Sequence, residues 1–111
     1  MNKRIVENIL RLLEVANQKD WKPWELQTEL RKLEENVIAV GDDLSFTIRL
    51  DGEVYVDEKA LLDCGARRTR IHPFKKAYRF QKGFIAVEGR FIRVSRDFEP
   101  EELMRILLCL R

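Results

Sequence analysis

The apolar residues follow a helical period at both ends of the chain and a two-residue period in the middle. Ile5, Ile9, Leu12, Leu13 and Ala16 recur at helical spacing, widened by Val6 and Leu10, and predict a helix over residues 3–17. Leu26, Leu30, Leu33 and Val37 form a second stripe and predict a helix from about Trp21 to Asn36. Asp20 is its expected N-cap, and Pro23 is tolerated because first-turn amides have no intrahelical acceptor to lose. Trp21 is expected to staple the helix start, and Trp24 to pack on the first or last helix. Leu103, Ile106, Leu107 and Leu110 predict a last helix over about 98–110, with Met104 and Leu108 broadening its stripe toward central packing or an oligomer contact. Residues 20–26 and 97–103 share the order Asp, aromatic, any, Pro, any, Glu, Leu, which reads as one helix-starting solution used twice.

Between these helices the period becomes two. Residues 44–49 alternate, Asp51-Gly52 marks a turn, and residues 53–56 alternate back. A three-residue loop, Leu50 to Gly52, pairs Ile48 with Val54 and Phe46 with Val56, which gathers the apolar side chains on one face. Residues 58–64 predict a short helix ending near Gly65. Ala77–Gln81, Phe84–Val87 and Arg90–Ser95 predict three further strands joined by turns at Lys82-Gly83 and Glu88-Gly89. A two-residue Glu88-Gly89 loop puts Ile85, Val87, Ile92 and Val94 on one face and Phe84, Ala86, Phe91 and Arg93 on the other; a three-residue loop moves Phe84 and Ala86 to the face of Ile92 and Val94. Both registers fit the pattern. The expected fold class is α+β: two N-terminal helices, an antiparallel β-hairpin, a three-stranded β-meander and a C-terminal helix.

At 111 residues the chain has the size of one domain, read as 1–111, and can bury a core without metal or disulfide support. No apolar run approaches the roughly 18 residues of a membrane span. The basic start is interrupted by Glu7 and Glu14, so it reads as an amphipathic helix and not a secretion signal. Cys64 and Cys109 allow at most one bridge, and the expectation is two free thiols in a cytoplasmic protein.

Charge changes this picture. The net charge of +2 hides a net of −5 over residues 1–66, +9 over 67–96 and −2 over 97–111. The subregion 67–96 holds ten basic residues and one acidic residue, Glu88. Such a field attracts polyanions if its side chains share a face. Arg67, Arg68, Arg70, Lys75, Lys76, Arg79, Arg90 and Arg93 are the candidate phosphate-binding residues. Tyr78 and Phe84 are candidate base-stacking rings, because exposed aromatic faces stack on unpaired bases. The expected partner is RNA or single-stranded DNA, with duplex DNA as a further target. Core packing of the rings, and compensation of the acidic half by the basic segment, are the competing structural readings.

The alternative function is an adaptor or structural subunit that binds an acidic protein, or forms a homodimer, through the basic face or the C-terminal helix. A metal-free ribonuclease using Arg67, His72 and Glu88 ranks third. The chain lacks a phosphate-cradling glycine-lysine loop, a dinucleotide fingerprint and a Cys/His cluster at zinc-ligand spacing, so neither a cofactor nor a metal is expected. Asp57-Glu58-Lys59 reads as turn and capping residues.

Overall fold

The computed structural model describes residues 1–111. Helix α1 spans Lys3–Ala16 and α2 Pro23–Leu33; strands β1 (Val37–Val40) and β2 (Phe46–Arg49) follow. Then come α3 (Glu58–Asp63), β3 (Arg67–Ile71), β4 (Phe74–Arg79), β5 (Phe84–Glu88), β6 (Phe91–Val94) and α4 (Pro100–Leu108). All six strands join one antiparallel sheet in the order β1-β2-β6-β5-β4-β3. After β2 the chain crosses by way of α3 to the far edge and returns as a meander until β6 closes against β2. No helix is long and apolar enough to cross a membrane.

The helices pack on one sheet face. The pairings Tyr78–Ile85, Ile85–Val94 and Val94–Phe46 align one apolar row across four strands, and Val87–Ile92–Ile48 form the next. Against these rows lie Val6, Ile9, Leu12 and Leu13 of α1 and Leu103, Ile106 and Leu107 of α4, all buried in one core. Burying each large aliphatic or aromatic side chain stabilises the fold by roughly 1.5–3 kcal/mol, so the two-residue period of the strands and the helical period of α1 and α4 specify the same layer.

Several expectations are corrected. Residues 53–56 do not pair with β2. The bonding edges of β2 are taken by β1 and β6, and Val37, expected in the apolar stripe of the second helix, instead opens β1. The segment around Val56 runs against the C-terminus instead: Tyr55 and Arg111 exchange backbone hydrogen bonds of 2.6 and 2.8 Å, and Val56 bridges Leu110. Helix α2 starts at Pro23, not near Trp21. Its N-cap is Lys22, whose N–H donates to Glu25 Oε1 at 3.0 Å. Pro100 likewise opens α4 after an extended Glu99, so the repeated start rests on proline at the first helical position and not on the aspartate. Trp21 does staple the region, its Nε1 donating to Val15 O at 3.0 Å, but Trp24 is 65% exposed and packs on neither helix core.

Residues 67–71 add a strand that the meander prediction lacked. At the β5–β6 turn Glu88 pairs with Phe91, so the two-residue loop is Gly89-Arg90, with Gly89 at φ 57°. Ile85, Val87, Ile92 and Val94 share the core face, and Ala86 pairs with Arg93 on the other, the face division of the two-residue register.

Candidate nucleic-acid interface

The sheet face away from the helices is uncovered. The pairings Thr69–Ala77–Ala86–Arg93–Thr47–Ala39 trace one row of mostly small side chains across all six strands. Beside it runs Arg67–Arg79–Phe84. Arg67 and Arg79 face each other directly across β3 and β4, both exposed, and neither forms an ion pair. Like charges directly opposed destabilise a strand pair, so this pairing leaves a local cost that a bound anion would relieve. The Arg79 and Arg93 guanidinium carbons lie 5.7 and 5.9 Å from the Phe84 ring centroid. Two guanidinium groups thus gather on one ring, within the range of cation–π attraction.

Arg93 is fixed from the other side. Its Nε donates to Ser45 Oγ at 2.6 Å and its Nη2 lies 3.4 Å from Asp43 Oδ1. Ser45 also donates to Asp43 Oδ1 through its N–H at 3.0 Å and its hydroxyl at 2.6 Å. Partial burial would raise the Asp43 pKa, but the Ser45 and Arg93 hydrogen bonds and the Arg93 charge outweigh it and hold the carboxyl below its ordinary value. This clasp, formed by the 41–45 turn, was not found from sequence; the only local sign of it is the Asp-x-Ser spacing, which also occurs in ordinary turns.

The other predicted phosphate ligands divide. Arg68 lies on the helix-side face opposite Tyr78 and is held by Glu58 through two bonds, Nε to Oε1 at 2.8 Å and Nη2 to Oε2 at 2.7 Å. Tyr78 donates its hydroxyl to the same carboxylate at 2.9 Å. The hydrogen bonds from Arg68 and then Tyr78 bring the Glu58 pKa down to about 2, while burial and the Glu58 bond push Tyr78 up to about 12. Lys75 is tied to Glu88, by its N–H at 2.8 Å and its Nζ at 3.8 Å. Arg70, Lys76 and Arg90 are exposed and without ion pairs, but Lys76 shares the helix-side register of Tyr78 and Arg90 sits in the β5–β6 turn. Lys82 and Arg96 pair with Glu99 and Asp20.

Five of the ten basic residues in 67–96 are therefore neutralised internally, and Asp20, Asp43 and Glu58 of the acidic half take three of them. The eight candidates do not form one continuous track. The compact group on the open face is Arg67, Arg79 and Arg93 around Phe84.

Tyr78 is 2% exposed and faces the helices, so its ring is core and not open to a stacking base, and its hydroxyl is spent on Glu58. Phe84 is on the open face but only 8% exposed beneath its arginines. A more accessible apolar surface lies next to it, a groove of about 330 Å³ bounded by Ile38, Thr47, Phe74, Phe91 and Arg93. The sequence pattern places Phe91 on this face in one register but does not bring Ile38 to it, because residues 38–40 carry no strand expectation. The ribonuclease trio does not converge: Arg67 opens β3 and His72 follows its last residue, roughly 15 Å away at strand rise. The largest cavity, about 570 Å³, opens along α1 and the start of α4, where Glu7, Glu14, Asp97 and Glu99 give it the wrong sign for a polyanion.

No family model matches the sequence, and no solved structure matches the fold. An uncharacterized protein of Archaeoglobus fulgidus is 55% identical over 101 residues, which cover 91% of this chain and 92% of that protein. At that identity over nearly the whole length of both, the chain belongs to the same family as the Archaeoglobus fulgidus protein.

Proposed function

We propose that this is a non-catalytic nucleic-acid-binding protein that takes RNA or single-stranded DNA on the open sheet face. The observation that carries the reading is the directly opposed, carboxylate-free pair Arg67 and Arg79 beside the Phe84–Arg93 cluster. Arg67 and Arg79 hold phosphate oxygens, whose geometry suits guanidinium forks. Arg93, anchored by Ser45 and Asp43, adds a fixed positive end to the group. The adjoining groove, with the Phe91 ring on its border, offers an apolar seat for an unpaired base, which stacking favours without regard to sequence.

Fluorescence anisotropy with labelled oligouridylate, oligodeoxythymidylate and a duplex tests the proposal over a salt series. Single strands should bind at low salt, with a slope of about −0.7 per phosphate neutralised, hence near −1.4 for the unpaired Arg67 and Arg79. The Arg67→Ala, Arg79→Ala double variant should lose about 1.4 of that slope and weaken RNA and DNA alike. Absence of binding to every probe at low salt, or a slope unchanged in the double variant, overturns the proposal. A second reading, an adaptor that meets a protein through α4, is supported by Met104 and Leu108, which stand 40% and 59% exposed on that helix. Light scattering decides its homodimer form: a mass above 13.2 kDa that falls on Leu108→Glu supports it.

A further inference from the structure

We propose that Cys64 and Cys109 are a covalent modification site, a dithiol that small-molecule disulfides oxidise to a single intrachain bridge joining the ends of α3 and α4. Each cysteine is the C-cap of its helix. Cys109 Sγ lies 3.4 Å from Arg105 O, and Cys64 lines a cleft of about 300 Å³ together with Glu102, Arg105 and Ile106. Both cysteines thus lie against the same turn of α4, with Arg105 bordering each of them. The backbone keeps them there. The Val56–Leu110 bridge and the paired Tyr55–Arg111 bonds tie the chain just before α3 to the chain just after α4. A bridge demands sulfurs about 2 Å apart, so closure brings Cys64 across the cleft it lines to the C-terminal end of α4. With no third cysteine in the chain, this is the one intrachain bridge that oxidation can make.

The chemistry is thiol–disulfide exchange. Cys64, the more exposed of the two, enters first. Its thiolate attacks one sulfur of the small disulfide, a Cys64–sulfur bond forms, and the other half leaves as a thiolate that takes up a proton. The Cys109 thiolate then attacks Cys64 Sγ, the protein disulfide forms, and the second small thiolate leaves and is protonated. The protein gives up two electrons and two protons, and the small disulfide is reduced to two thiols. Burial first, then the neighbouring Cys64 and Asp57, pushes the Cys109 thiol above its ordinary value, which lowers its thiolate fraction and accords with the exposed Cys64 meeting the small disulfide first.

The test uses the reduced full-length chain, oxidised glutathione, and alkylation of the remaining thiols before intact-mass analysis. The expected product is a monomer lighter by two hydrogens, with no alkylatable thiol and a digest peptide pair linking Cys64 to Cys109. A bridge over so long a loop should also raise the Tm, on the order of 10 °C, reversibly with dithiothreitol. Cys109→Ser should stop at the Cys64 mixed disulfide and show no such rise. Wild-type protein that ends as a doubly glutathionylated chain, as a disulfide-linked dimer, or with both thiols free overturns the inference. None of these readouts depends on nucleic acid, so the outcome is separate from that of the binding proposal.

Discussion

Replacing Gly83 by alanine should destabilise the protein although the backbone there permits any residue. Its φ is not positive, so the glycine is required for space and not for conformation. A Cβ at this position would stand 3.0 Å from Cδ2 and Cε2 of Phe98 and 3.1 Å from Cγ. Ordinary carbon contacts lie near 3.5–4.0 Å, so three ring atoms must retreat by about half an ångström or more. Phe98 has little room to do so: it is 3% exposed, and its ring meets Phe80 edge-on at 5.7 Å and 63°. It also leads into α4 two residues later. Overpacking of this kind costs about 1–3 kcal/mol. The gain from a less flexible unfolded chain returns about 0.4–1 kcal/mol. The balance is a loss of roughly 1–2 kcal/mol, or a Tm lower by about 4–16 °C for a chain of this size. Urea and thermal unfolding followed by circular dichroism measure it directly. Phe98→Leu opens space beside the new methyl, so the double variant should be more stable than the sum of the two losses predicts, with a coupling of about 1 kcal/mol. A Gly83→Ala protein as stable as the parent, or strictly additive effects in the cycle, would refute the reasoning.

The Glu58 cluster makes opposite predictions at the two ends of the pH scale. Glu58 is held at about 2 against an ordinary 4.5, so its contribution to folding is complete above about 4.5 and disappears as the pH falls through about 2; Glu58→Gln should flatten this acid limb in unfolding titrations. Tyr78 is raised from 10.0 to about 12, so its contribution is complete below 10.0 and is lost as the pH climbs through about 12. In a Tyr55→Phe variant, where Tyr78 is the one remaining tyrosine, tyrosinate absorbance should develop with a midpoint near 12 while circular dichroism still reports the fold; a midpoint near 10.0 in folded protein contradicts the assignment. Gly41→Ala places a methyl against Arg93 Nη2, with Asp43 Oδ1 at 3.0 Å and Ser45 Oγ at 3.3 Å. Arg93 should swing out of its clasp at a stability loss of about 1 kcal/mol. Freed from Asp43, it should steepen the salt dependence of oligonucleotide binding by up to about 0.7, and unchanged Arg93 side-chain NMR signals would rule out the displacement.

Amphipathic period was enough to locate α1 and the buried residues of α4, because those helices meet the core through one stripe. It also located the faces of β5 and β6, where alternation runs cleanly through Ile85, Val87, Ile92 and Val94. The hairpin failed because Val54 and Val56 alternate as a strand does, yet what chooses between partners for β2 is a pairing with β6 more than forty residues away. Val37 fits the helical stripe of α2 as well as the strand that it joins, and a four-residue apolar run cannot settle that choice alone. The basic segment was legible as composition but not as geometry. Alternation along β3 and β4 sends Arg67 and Arg79 to the open face and Arg68 and Lys76 to the other, and long-range carboxylates, Asp20, Asp43 and Glu58, claim three of its cations. None of those carboxylates is marked in sequence as a partner.

Strand β3 forms one margin of the sheet, and every other backbone group along it faces outward with no strand to receive it. Such a margin ordinarily invites a neighbouring molecule to add its own strand, which is how soluble sheets begin to aggregate. Of the five residues of β3, Arg67 and Arg70 are arginines without an ion pair, so two molecules meeting margin to margin would bring guanidinium against guanidinium. The charge proposed to draw in a polyanion therefore also keeps identical molecules apart, and any variant that strips it to test binding removes a safeguard of solubility at the same time.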